Sequence, residues 1–209
     1  MKQGLDSRRI VFYNFDLHSN LDYPVNDTRL TLSFETLKKG QLGISAVYGS
    51  FLAEAASHCL GWNNHENPVP LDITGDVFTP ASLKWNDVNE QKGTWTDLQE
   101  ATEYGAYGIA IIVALLLTTT PRVERSAKGT GVDYWIGDGN DQRGIFQRTA
   151  RLEVSGILKG DQPKIAARMK EKMTQTKRSD KAGLAAYVVI VEFGSPEARF
   201  VKTARETKA

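Results

Sequence analysis

Residues 124–137, E-R-S-A-K-G-T-G-V-D-Y-W-I-G, and 149–157, T-A-R-L-E-V-S-G-I, decide the fold of this 209-residue chain. Each is a short apolar segment carrying one carboxylate, Asp133 and Glu153, and the run G-D-G-N-D-Q-R-G at 137–144 is the turn between them. The spacing predicts strands over 122–126, 132–137 and 149–157. Alternation along the third strand puts Arg151, Glu153 and Ser155 on one face. Two carboxylates on neighbouring buried strands form a layout that can seat a divalent metal, because a buried unpaired carboxylate is costly.

Working outward, Pro163 opens a basic amphipathic helix reaching about residue 178, with Ile165, Ala166, Met169 and Met173 as its apolar stripe. The run A-A-Y-V-V-I-V-E-F at 185–193 is continuously apolar, as in a strand buried on both faces, and Gly194-Ser195-Pro196 ends it. Upstream, a helix begins near Thr94, with Thr94 or Thr96 as cap and Asp97 in its first turn, and Pro121 marks its end. That helix is apolar nearly all round after Gly105, which requires burial of its C-terminal half.

The first 93 residues read as an α+β extension: strand patterns at 9–16, 29–35 and 69–78, and a helical pattern over 34–62 broken near Gly40 or Gly43. Residues 94–203 form the core, and 204–209 a polar, disordered tail. Apolar residues make up 41% and charged residues 24%, a globular profile. The lone Cys59 excludes an intramolecular disulfide and sits in an apolar helical pattern, so it reads as a buried, inert thiol. The N-terminus lacks the apolar run of a signal peptide and the run 109–117 is short for a bilayer, so a cytoplasmic location without a membrane is expected.

Charge is divided unevenly. Residues 1–120 carry 8 Lys and Arg against 14 Asp and Glu, whereas 121–209 carry 18 against 11, so the half with the two carboxylates is the basic half. That division suits a polyanion, and a solvated helix face produces it equally well. His18, His58 and His65 have no partner at a recognised metal spacing, and there is no P-loop or G-x-S-x-G elbow.

The order helix, strand, strand, strand, helix, strand resembles the PD-(D/E)XK nuclease superfamily. The motifs carrying the resemblance are Glu100 and Glu103 on the first helix, Gly129-Thr130-Gly131-Val132-Asp133, and Leu152-Glu153-Val154-Ser155. The resemblance implies a restriction-endonuclease-like α/β core (αβββαβ, a mixed central sheet flanked by helices). It implies Mg²⁺ or Mn²⁺ held by Asp133 and Glu153, with Glu103 completing the site, and hydrolysis of DNA in a defence, restriction or repair system. Ser155 stands where the family pattern has lysine, whose positive charge stabilises the developing negative charge. Lys128 is favoured as a displaced cation, with Lys159 and Arg151 as alternatives. Arg151, Lys159, Lys164 and Arg168 are the expected nucleic-acid contacts. Two other outcomes stay open: a catalytically inactive nuclease-fold subunit that binds nucleic acid or a companion protein, and an unrelated α/β binding domain. A homodimer is also compatible.

Overall fold

A computed structural model describes residues 29–40, 42–85, 93–118, 122–138, 147–178 and 183–203. The strand pattern at 9–16, His18 and the tail at 204–209 lie outside them. In chain order the elements are β1 (Leu30–Ser33), α1 (Glu35–Lys38), α2 (Ala46–Trp62), β2 (Val69–Gly75), β3 (Thr79–Lys84) and α3 (Leu98–Leu117). They continue as β4 (Arg122–Arg125), β5 (Tyr134–Asp138), β6 (Gln147–Ile157), α4 (Gln162–Arg178), β7 (Ala185–Glu192) and β8 (Glu197–Lys202).

The protein is α/β, with one mixed eight-stranded sheet ordered β1-β3-β2-β8-β7-β6-β5-β4. Strands β6 and β7 run parallel, as a helical crossover between them requires, and α4 supplies that crossover. Strands β4, β5 and β6 form an antiparallel run. Residues 30–84 contribute β1, β2 and β3 to the same sheet, joined to it through the parallel pair β2 and β8.

The continuous apolar run of β7 is explained by two cores. Val189 and Val191 pack on the side of α2 and α3, whereas Val188 and Ile190 pack with Ile165 and Met169 of α4. Helix α3 is long and apolar enough to cross a membrane by length and composition, yet most of it is buried inside the fold. It passes close to α2: a Cβ on Gly105 would stand 2.9 Å from the Ala56 backbone. Cys59 is fully buried in this contact, and burial pushes its thiol up to about 12.

Several local expectations are corrected. The cap of α3 is Asp97, whose carboxylate accepts from the amides of Gln99 and Glu100, so the helix starts at Leu98 rather than near Thr94. Strands β3 and β8 occupy segments to which no strand is assigned from the sequence. Strand β8 buries Glu197, whose carboxylate accepts from Thr74, Gln162 and Arg199; these bonds hold it below the usual glutamate range against the opposing effect of burial. The Tyr134-Trp135-Ile136 run, which reads as core in the sequence, is core only in part: Tyr134 and Ile136 are fully buried, whereas Trp135 faces the other way, half-buried beneath the Arg148 guanidinium at 4.8 Å.

Candidate functional site

A cleft of about 690 Å³ opens between α3 and α4 over the C-terminal half of β6. Helix α3 contributes Thr102, Glu103 and Tyr107, and α4 contributes Lys164, Arg168 and Lys172. The chain folds this way because Gly156 lets α3 lie directly on β6; a Cβ there would stand 2.4 Å from the Thr102 carbonyl oxygen. Asp133 lines the cleft just before β5, where its amide donates to Leu152 O at 3.1 Å and ties it to β6.

Asp133 is held at both oxygens. Its Oδ2 accepts from the Val154 amide at 2.8 Å, and its Oδ1 lies 3.0 Å from the Tyr107 hydroxyl. The same hydroxyl lies 2.9 Å from Glu103 Oε1. A phenol has one hydrogen, so Tyr107 donates to one of these carboxylates at a time. Burial among these acids drives the Tyr107 phenol far above its ordinary pKa, so it stays protonated.

Burial pushes the Asp133 carboxyl above the usual carboxylate range, opposed by the Val154 amide, the Tyr107 hydroxyl and the charges of Lys172 and Arg125. Glu153, 6% exposed, is also pushed up, first by burial and then by the negative charge of Asp133. The opposing group is the Lys172 ammonium, which donates to Glu153 Oε1 at 2.7 Å. The charge of Asp133 thus resists ionisation of Glu153.

Ser155 also meets a cation from α4, since Arg168 Nη1 donates to Ser155 Oγ at 3.0 Å. Lys172 is the cation that sequence reasoning missed. Its signal in the sequence is the i, i+4, i+8 spacing of Lys164, Arg168 and Lys172 on one helix face. Lys128, the favoured candidate, stands exposed in the turn after β4 and does not line the cleft.

Of the expected nucleic-acid contacts, Lys164 and Arg168 line the cleft, and Lys159 is exposed beside it with its carbonyl accepting from Lys164 Nζ at 3.1 Å. Arg151 is a correction. It shares the face of Glu153 as alternation required, but α4 covers that face, leaving the side chain 3% exposed. Its guanidinium donates to Thr176 O at 3.0 Å and Leu184 O at 2.9 Å, tying the end of α4 to the start of β7. Glu124 pairs with Arg148 at 2.5 Å, and Glu100 is exposed in the first turn of α3, outside the cleft.

Among the described residues no group of three or more His, Cys, Asp or Glu side chains is placed to hold a metal ion. Glu103 joins Asp133 through Tyr107 rather than as a third ligand of one cluster. The donor set still fits Mg²⁺ or Mn²⁺: the hard carboxylate of Asp133 lines the cleft, that of Glu153 reaches its Lys172 wall, and Mg²⁺ usually takes one or two carboxylates and fills its shell with water and substrate phosphate. No family model matches the sequence, and no curated protein or solved structure matches it either.

Proposed function

We propose that this chain is a divergent PD-(D/E)XK nuclease with a restriction-endonuclease-like core, hydrolysing DNA phosphodiester bonds with Mg²⁺ or Mn²⁺ held by Asp133 and Glu153. A role in a defence, restriction or repair system belongs to the same proposal. The observation that carries it is the half-buried Asp133 and buried Glu153 beside a cleft whose α4 wall brings Lys172 onto Glu153 and Arg168 onto Ser155. A bound divalent cation supplies Lewis-acid polarisation of the phosphate and a more acidic bound water. The chain's own residues do the rest. Lys172 places positive charge where the phosphate gains negative charge, standing in for the lysine that Ser155 replaces. Lys164 and Arg168 offer cations to the DNA backbone, and Tyr107 and the Val154 amide fix the orientation of Asp133.

The test is cleavage of plasmid and single-stranded DNA in Mg²⁺ by the wild type, Asp133→Asn and Glu153→Gln. Cutting by the wild type alone is expected, and equal cutting by both variants contradicts the assignment. Asp133→Asn has a second expected effect. Because burial raises the folded pKa of Asp133 above its unfolded value, its contribution to stability is present below the ordinary carboxylate pKa and is lost as pH rises through the folded pKa. Ionised Asp133 therefore weakens the metal-free fold at neutral pH, and an asparagine oxygen still accepts from Val154. Thermal melts in EDTA at pH 7 should place Asp133→Asn above the wild type, by about 2–4 °C per kcal/mol at this chain length, with the gap closing on acidification. A lower melting temperature for the variant at every pH would refute this.

One observation favours the catalytically silent alternative, a binding or assembly subunit: the Lys172 ammonium already neutralises Glu153. Calorimetric titration with Mn²⁺ separates the two, since absence of binding supports the silent subunit.

A further inference from the structure

We propose that Arg125 is a phosphate-positioning residue, holding a backbone phosphate of the DNA strand on the α2/α3 side of the sheet, away from the basic wall of α4. The inference rests on the nuclease reading for its substrate class and extends it to a second bank of the site. Arg125 ends β4 and pairs across the sheet with Tyr134, the residue after Asp133. The next amide, Ser126 N, donates to Asp133 O at 2.9 Å, so Arg125 is fixed to the backbone of the proposed ligand.

Arg125 is an exposed residue whose guanidinium is rigidly held. It lies 5.6 Å from the ring centre of Tyr48, 5.2 Å from Tyr107 and 5.5 Å from Tyr134, so elements α2, α3 and β5 each contribute a wall. Arg125 Nη1 donates to the hydroxyls of Tyr48 and of Tyr134, the latter at 3.0 Å, and those hydroxyls bond each other at 2.8 Å. Among the described residues no carboxylate forms an ion pair with Arg125, and its bonds to protein acceptors engage Nη1 alone. Nε and Nη2 are left as a two-donor edge, the geometry that matches two oxygens of one phosphate.

A purely structural arginine would direct this edge into the protein, as Arg151 does. An arginine held by three rings and one bonded nitrogen, with no protein acceptor on its other edge among the described residues, is preorganised for an external oxyanion. Tyr107 joins the two banks, because its ring meets Arg125 and its hydroxyl meets Asp133. A strand lying across Asp133 would then meet Arg125 on one side and Lys164, Arg168 and Lys172 on the other.

The test measures binding of labelled duplex and single-stranded DNA by fluorescence anisotropy in EDTA over a range of salt, using the full chain, Arg125→Gln and Arg125→Lys, alongside Mg²⁺-dependent cleavage. Arg125→Gln should weaken binding about tenfold and reduce the slope of log K against log salt by about 0.9 for duplex or about 0.7 for single strands. Arg125→Lys, which keeps the charge and loses the fork, should keep the slope and lose affinity; it decides the matter if Arg125→Gln fails to fold. Unchanged affinity in whichever variant folds overturns the proposal, as does a wild type that binds no DNA. Cleavage with an unchanged slope in Arg125→Gln refutes the role of Arg125 while leaving the nuclease reading intact. A reduced slope without any cleavage upholds Arg125 and refutes the catalytic reading.

Discussion

Lys172→Met is expected to lower Mg²⁺-dependent DNA cleavage by about 10²–10³-fold, the effect of removing one charge-stabilising donor from a hydrolytic site. The side chain is the cation bonded to Glu153, and Arg168 is engaged with Ser155 and Glu171. Two consequences follow from the same ion pair. Without the ammonium, the Glu153 carboxyl moves further up, since burial and Asp133 already push it that way. The fold also loses up to about 3 kcal/mol, because one partner of a largely buried pair is left alone. The double variant Lys172→Met/Glu153→Gln removes both charges, so it should recover most of the lost melting temperature and none of the activity. Single-turnover rates with thermal melts separate these effects. A Lys172→Met protein that cuts at the wild-type rate would reduce Lys172 to a structural counter-ion.

Gly156→Ala is expected to be strongly damaging to both the fold and the site. The added Cβ would lie 2.4 Å from the Thr102 carbonyl oxygen and 2.7 Å from its Cγ2. The carbonyl belongs to the α3 backbone and cannot rotate away, so the helix itself must shift from the sheet. Overpacking of this kind costs about 3 kcal/mol, or roughly 6–12 °C at this chain length. Helix α3 carries Glu103 and Tyr107, so a shift also lengthens the Tyr107 contact with Asp133. Activity should therefore fall by more than the unfolded fraction accounts for, measured at a temperature where the variant is fully folded. A melting temperature within a degree or two of the wild type would show that α3 does not sit as closely on β6 as described.

The parts of this architecture legible in the sequence are those with local periodic signals. The apolar run of β7, the stripe of α4 and the alternation of β6 each follow from the spacing of their own residues. Alternation also placed Arg151, Glu153 and Ser155 on one face, but not what covers that face. Arg151 was therefore expected to meet nucleic acid, whereas α4 closes over it. Strand β3 escaped because Pro80 interrupts its pattern, and β8 because Glu197 looks solvated until Thr74, Gln162 and Arg199 converge on its carboxylate from distant segments.

The candidate site divides similarly. Asp133 and Glu153 were visible as carboxylates within apolar strands. Lys164 and Arg168 were visible on their basic helix, but Lys172 and Arg125 were not singled out, because Lys172 is bonded to an acid 19 residues away and Arg125 is caged by tyrosines from three elements. Tyr107 read as core on an apolar helix, and only its neighbours reveal a hydroxyl bridging two acids. Contacts of this kind depend on packing between elements, which local spacing does not encode.

The assignment of Asp133 and Glu153 as ligands of one divalent cation is tested most directly by a crystal structure soaked in Mn²⁺. It should show an anomalous difference peak at about 2.0–2.6 Å from a carboxylate oxygen of each residue. Absence of a peak there, with Lys172 still bonded to Glu153 and Mn²⁺ elsewhere or nowhere, would contradict it.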